Sequence, residues 1–376
     1  MIFPSRGLAM LAVPCILLSS TLLSYADSMV VPYPTTRQGD TVDDYHGVKV
    51  PDPYRWLEDD NSAETKAWVT AQNKVTFGYL EKIPERPAIR ERLTKLWNYE
   101  RYGVPFEQGG RFFYAHNSGL QNQRVLMWAE SLQGEPRVLL DPNQLAADGT
   151  VSLASYSVSV DGKLLAYGLA RAGSDWQDWH VREVATGKDR DDLVQWVKFS
   201  GAAWARDGSG FYYSRFAEPK PGAALTGLNE FQKLYFHRIG TPQSEDTLIY
   251  ERRDHKDWGF HGHPTEDGRY LVITVTRGTD PKNAVVYRDL QDPSGKVVEL
   301  LSAFDADYSY VGNDGPIFYF NTDFNAPRSR VIAIDLRQPQ SVHWREMIAQ
   351  AQESLKGVSM FGSRFVCEYL LSLIHI

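Results

Sequence analysis

Six segments of this chain share one pattern, a glycine-centred turn running straight into aromatic and β-branched residues. They are Gly110-Arg111-Phe112-Phe113-Tyr114, Asp161-Gly162-Lys163-Leu164-Leu165-Ala166-Tyr167, Asp207-Gly208-Ser209-Gly210-Phe211-Tyr212-Tyr213, Asp267-Gly268-Arg269-Tyr270-Leu271-Val272, Asn313-Asp314-Gly315-Pro316-Ile317-Phe318-Tyr319 and Gly362-Ser363-Arg364-Phe365-Val366. They restart about every 50 residues, the period of a four-stranded propeller blade. An Asp-Gly or Asn-Asp-Gly string makes a tight turn, and the run after it has the composition of a buried strand. Further strands follow each run, as in 179–187, 234–240, 285–290 and 330–336. A unit of this kind cannot bury both its faces alone, so the units stack radially around a tunnel. Five blades fit, and a sixth begins. A β-sandwich also shows short strands and frequent turns, but the regular restart argues against it.

Upstream of the repeats the period is helical. The stretch from Val30 to Pro53 reads as an extended, proline-punctuated arm. Asp60-Asn61-Ser62 then offers capping side chains to a helix from Ala63 to Lys82, in which Ala67, Ala71, Val75 and Tyr79 recur every fourth residue. A second helix opens with Pro87 in its first turn, carries Ile89, Leu93, Leu96 and Trp97 as its apolar stripe, and ends near Tyr99.

At the N-terminus Arg6 precedes an apolar run from Leu8 to Leu23 that closes on Ser24-Tyr25-Ala26. This is the form of a secretory signal peptide, shorter than the roughly 20 residues a membrane-spanning helix needs. Residues 1–26 are expected to be removed, which gives an exported protein, periplasmic or secreted, with no membrane attachment after cleavage. The chain has two cysteines, Cys15 and Cys367. The first leaves with the signal peptide, so no internal disulfide remains, and Cys367, beside Phe365 and Val366, reads as a small buried thiol. A net charge of -7, with Lys and Arg scattered singly, supplies no basic field for nucleic acid.

Nucleophile and metal signatures are absent from the sequence. No Gly-x-Ser-x-Gly elbow and no His-Glu-x-x-His occurs. His255, His261 and His263 cluster, but without cysteine or a second cluster they read as ordinary loop histidines, and no metal or cofactor is expected. The Asp-Gly turns lack the alternating oxygen ligands of a calcium loop.

Longer strings then narrow the reading. The run from Asp44 to Asp59, DYHGVKVPDPYRWLED, resembles the N-terminal signature of the prolyl oligopeptidase family, and residues 65–74 continue it. Residues 119–126, Leu140-Asp141-Pro142-Asn143, Gly173-Ser174-Asp175-Trp176 and Gln232-Lys233-Leu234-Tyr235 are similar to it as well, over about Tyr33 to Tyr369. The resemblance implies a serine endopeptidase that cleaves short proline-containing peptides after proline and acts as a monomer in its full-length form. It implies a mainly β chain: a seven-bladed propeller, incomplete over residues 103–369, preceded in residues 27–102 by the N-terminal segment of an α/β-hydrolase domain. The Ser-His-Asp triad would lie beyond Ile376, leaving these residues the substrate-gating part and no catalytic residue. Phe199 matches an aromatic that lines the family's subsite upstream of the proline, although a blade-core phenylalanine would read the same. Gly259 and Thr279 stand where larger or sulfur-bearing residues are usual. The string from Leu370 to Ile376 has no blade turn and reads as a non-native end. A stand-alone propeller acting as a binding module is the competing function; it would leave Trp56, Trp68 and Trp97 of the helical arm without a partner.

Overall fold

The computed structural model describes residues 31–371. The expected leader and its expected cleavage site, and residues 372–376 of the terminal string, lie outside that range. The chain divides into two compact units after Lys95.

In the first unit the arm contains a hairpin, Val42–Tyr45 against Val48–Pro51, where the sequence reading has only extended chain. The cause is the His46-Gly47 turn. Both residues take positive φ, 54° and 90°, and the Gly47 amide donates to Asp44 Oδ1 at 2.6 Å, as a two-residue hairpin loop requires. Helix α1 (Ala63–Leu80) starts where the capping side chains place it, with Ser62 accepting from the Thr65 amide. The arm is tied to this helix by side chains: Arg37 forks onto Glu64 at 2.6 and 3.0 Å, and the Trp68 indole donates to Thr36. Helix α2 (Arg86–Trp97) leaves its apolar stripe exposed, with Ile89 54% and Leu93 50% accessible.

The second unit is a run of antiparallel sheets in chain order, which is the propeller expected from the repeat. Blade 1 pairs Arg101–Tyr102 and Phe106–Gln108, one inner strand interrupted by Gly103-Val104-Pro105, with Arg111–Asn117, then Val125–Ala129 and Arg137–Leu140. Blade 2 is Val151–Val158, Leu164–Arg171, Gln177–Glu183 and Asp189–Val197. Blade 3 is Ala203–Trp204, Gly210–Arg215, Lys233–Arg238 and Thr247–Tyr250. Blade 4 is Trp258–Pro264, Tyr270–Arg277, Ala284–Asp289 and Val297–Leu301. Blade 5 is Tyr308–Asp314, Ile317–Thr322, Arg330–Asp335 and Arg345–Ile348. A sixth sheet pairs Ser354–Phe361 with Arg364–Leu370, Leu370 lying opposite Ser354.

All six turn glycines sit at positive φ. At Gly162 a side chain is doubly excluded, because φ is +69° and a Cβ would come 2.5 Å from the Gln108 carbonyl of blade 1. The turn aspartates explain the rest of the motif. Asp161 and Asp267 accept from the amides two residues on, at 3.1 and 3.0 Å, and from Ser159 and Thr265 hydroxyls. The turn tips also join neighbouring blades: Arg111 donates to the Gly162 carbonyl, Arg206 to the Glu266 carbonyl, and Asn313 to Asp267.

The cores lie between consecutive blades. Phe113, Leu126 and Trp128 of blade 1 pack on Leu165 and Tyr167 of blade 2, and Trp179 of blade 2 packs on Trp204 and Phe211 of blade 3. Leu234 of blade 3 then meets Phe260 and Leu271 of blade 4, and Tyr270 of blade 4 meets Phe318 and Phe320 of blade 5. The strand after each turn is therefore most buried where it has a blade on both faces. In the sixth sheet that expectation fails: Arg364–Leu370 is half-buried at best, and Cys367 is half-buried rather than buried.

Candidate substrate-contact site on blades 2 to 4

The outer strand of blade 2 does not stop at its own sheet. Val197 pairs with Arg215 of blade 3, so blades 2 and 3 form one continuous sheet, and the chain reaches Ala203 only after an excursion through residues 198–202. Phe199 stands in that excursion, 57% exposed and at φ +56°. The alternative of a blade-core phenylalanine does not hold. Left-handed backbone costs a residue with a Cβ about 1–2 kcal/mol, so the surroundings must impose it.

Those surroundings are aromatic and cationic. The Lys198 ammonium lies 5.1 Å from the Trp176 ring centroid and 5.2 Å from that of Phe199, with Asp175 at 3.9 Å. Trp176 meets Trp196 and Phe216 edge to face at 6.0 and 6.2 Å, and its indole donates to the Ala224 carbonyl at 2.7 Å. Beside it opens a cleft of about 240 Å³ between Trp176, Phe216, Pro219 and Leu228. Such rings take up apolar side chains by area burial, and their faces here already hold the Lys198 cation.

His261 and His263 are not in a loop. They alternate with Phe260, Gly262 and Pro264 on the inner strand of blade 4 and are exposed while those neighbours turn inward. The glycine and proline in the string hide a period-two strand. Solvent reaches both imidazoles, yet the protein packed around them disfavours the charged form and holds their pKa below the ordinary histidine value. His255 stacks flat on Trp258, 3.9 Å between centroids. Among the described residues no cluster of three or more His, Cys, Asp or Glu side chains is placed to hold a metal. Gly259 lies on the same strand as His261, and Thr279 is exposed in the turn after Tyr270–Arg277.

A constellation that the sequence reading missed lies at the outer edge of blade 3. His237, wholly buried, faces Asp246 Oδ1 through Nδ1 at 2.7 Å and Asp192 Oδ1 through Nε2 at 3.2 Å. Tyr213 donates to Asp246 and the Gly240 amide to Asp192, both at 2.5 Å. Burial opposes protonation of the ring, but the hydrogen bonds to Asp192 and Asp246 outweigh it and raise the pKa to about 9. With both nitrogens engaged, this histidine is no general base. Residues 45 and 9 apart in sequence give no local signal of such a contact.

The comparisons agree with the fold. A prolyl endopeptidase of Elizabethkingia meningoseptica is 36% identical over 348 residues, 93% of this chain and 49% of its own length. Prolyl oligopeptidase A of Amanita bisporigera is 34% identical, with 88% and 48% covered. Among solved structures, one from a study of two prolyl endopeptidases superposes with a TM-score of 0.83 at 33% identity, covering 90% of this chain and 50% of the other. Prolyl oligopeptidase B of Galerina marginata, bound to a 35mer hydrolysis and macrocyclization substrate, superposes with a TM-score of 0.80 at 30% identity, covering 90% and 51%. The chain spans about half the length of the relatives it matches. Residues 33–376 match the family model described as "Prolyl oligopeptidase, N-terminal beta-propeller domain", and the chain accordingly belongs to the prolyl oligopeptidase family.

Proposed function

We propose that this chain is the substrate-admitting propeller of a serine endopeptidase that cleaves short peptides after proline, with the Ser-His-Asp triad supplied by sequence outside residues 1–376. The observation that carries the reading is Phe199: a solvent-exposed ring, held in left-handed backbone, at the junction where blades 2 and 3 share one sheet. An aromatic kept exposed at a conformational cost is what a contact for an apolar substrate side chain requires. The helical segment up to residue 102 belongs, on this reading, to the hydrolase domain, whose body would cover the exposed stripe of α2.

The mechanism would be acyl transfer. A histidine takes the serine proton, serine attacks the carbonyl carbon of proline, fixed donors hold the oxyanion, the histidine passes the proton to the leaving amine, and water then releases the acyl group by the same steps. The residues described here contribute no step of that chemistry; they admit and orient the peptide. The test is hydrolysis of a proline-containing chromogenic peptide by the full-length protein and by residues 27–376. Turnover is expected from the first and none from the second; turnover by the second sinks the division of labour. In the full-length protein, Phe199→Ala is expected to raise KM about tenfold for a peptide with a large apolar residue before proline, from lost apolar contact worth about 1.4 kcal/mol.

Export is part of the same proposal. N-terminal sequencing of the mature protein is expected to begin at Asp27; an N-terminus at Met1 in the cytoplasmic fraction would remove it.

A further inference from the structure

Phe199 is held on both flanks by two buried residues, one through a side-chain amide and one through a backbone amide, and both lead to one residue of blade 4. On one side Gln232, 4% exposed, donates through Nε2 to the Lys198 carbonyl at 3.2 Å and accepts the Phe260 amide on Oε1 at 2.8 Å. On the other, Ser214, wholly buried, donates its amide to Ser200 Oγ at 2.8 Å and its hydroxyl to the Phe260 carbonyl at 2.6 Å. Lys198 and Ser200 bracket Phe199. Phe260 sits on the inner strand of blade 4, whose other neighbour in the ladder is Tyr270–Arg277. A third bond, from the Phe216 amide to the Trp196 carbonyl at 3.1 Å, fixes the entry to the excursion.

From this we infer that Gln232 and Ser214 are positioning residues for substrate, setting the Phe199 ring by clamping its loop to the backbone of Phe260. The inference rests on the reading of Phe199 as a substrate contact and extends it to residues that touch no substrate. Buried amide and hydroxyl groups persist only where their partners are supplied, so each relay has one geometry. Gly259 completes the device. A Cβ there would lie 2.7 Å from Thr276 Oγ1 and 3.3 Å from Gln232 Oε1, so a side chain at this position would make both give way, Gln232 by a few tenths of an ångström.

The experiment is a double-mutant cycle in the full-length protein, using two peptides that differ only in carrying a large apolar residue or glycine before proline. Gln232→Ala is expected to raise KM for the apolar peptide about tenfold, with kcat and the glycine peptide within about twofold. The Phe199→Ala, Gln232→Ala pair should be no worse than Phe199→Ala alone, since coupled residues are not additive. Additive losses, or a fall in kcat on both peptides alike, overturn the inference. Where Phe199→Ala itself leaves both peptides unchanged, the substrate reading fails and the clamp is judged by hydrogen exchange. Gln232→Ala should then speed exchange of the Phe260 amide and of residues 196–201 at least about tenfold, with Tyr270–Arg277 unaffected; unchanged exchange removes the clamp as well. If Gln232→Ala does not fold, Ser214→Ala, which keeps the first relay, is read the same way for a rise of about threefold.

Discussion

Replacing His237 with alanine is expected to destabilise the propeller by about 3–5 kcal/mol at pH 7, because it leaves the carboxylates of Asp192 and Asp246 buried without their shared cation. Those carboxylates are 1% exposed, and the nearest other cation to Asp192 is Arg190 at 3.7 Å. The sign with pH is fixed by the direction of each shift. The folded-state pKa of His237 is raised from 6.5 to about 9, so its contribution is complete below about pH 6.5 in the unfolded reference. That contribution drains away as pH rises through 9. Asp192 moves the other way. Burial opposes its charge, but the hydrogen bonds from His237 and the Gly240 amide hold its pKa below the ordinary carboxylate value. Its contribution is present at neutral pH and is lost in acid. Urea unfolding followed by tryptophan fluorescence checks this: the deficit of His237→Ala should shrink to less than half between pH 7 and pH 10. A deficit of the same size at both values would mean that the ring packs against Phe211, 5.2 Å away, and carries no charge that matters.

Why this network was invisible in the sequence, while the propeller was not, follows from the range of each signal. A blade announces itself locally. Asp267-Gly268 turns within four residues because the aspartate accepts from its own neighbours and glycine takes the positive φ without a Cβ penalty, and Tyr270-Leu271-Val272 follows at strand period. Stacking the units then requires only that the apolar faces meet. Ser62 capping α1 is legible for the same reason. His237 reads as a polar residue in a strand, and nothing within ten residues reveals Asp192. The site lies between these cases. Phe199 was found through a resemblance, because strand alternation cannot distinguish a core aromatic from one carried out of the ladder. Only the pairing of Val197 with Arg215, followed by resumption at Ala203, shows that the chain leaves the sheet there. His261 and His263 read as loop residues because Gly262 and Pro264 mimic turn composition on what is an inner strand. The clamp of Gln232 and Ser214 joins residues 34 and 14 apart on one side to Phe260 on the other, which no local pattern encodes.

The repeat also predicts where its own equivalence breaks. Phe318 and Phe365 occupy matching places, in the run after the turns at Gly315 and Gly362, yet their surroundings differ. Phe318 is wholly buried and meets Tyr270, Tyr310 and Tyr287 edge to face at 5.2, 5.5 and 5.9 Å. Phe318→Ala is therefore expected to cost about 3–5 kcal/mol, the lost transfer energy plus a cavity between blades 4 and 5 that rigid strands cannot close. Phe365 is half-buried and meets Tyr319 alone among the described rings, edge to face at 5.2 Å. Its truncation is expected to cost only about 1 kcal/mol, one aromatic pair and part of one face. Denaturant titration of the two variants gives both numbers. If they prove equal, the sheet of Ser354–Phe361 and Arg364–Leu370 is covered in solution by a surface absent from these residues, and the burial rule drawn from blades 2 to 4 extends to the sixth. If they differ as expected, the stability of each blade is set by how many faces its neighbours cover and not by its own sequence. One motif, read six times, then yields a higher local stability where both faces are covered than where one is left open.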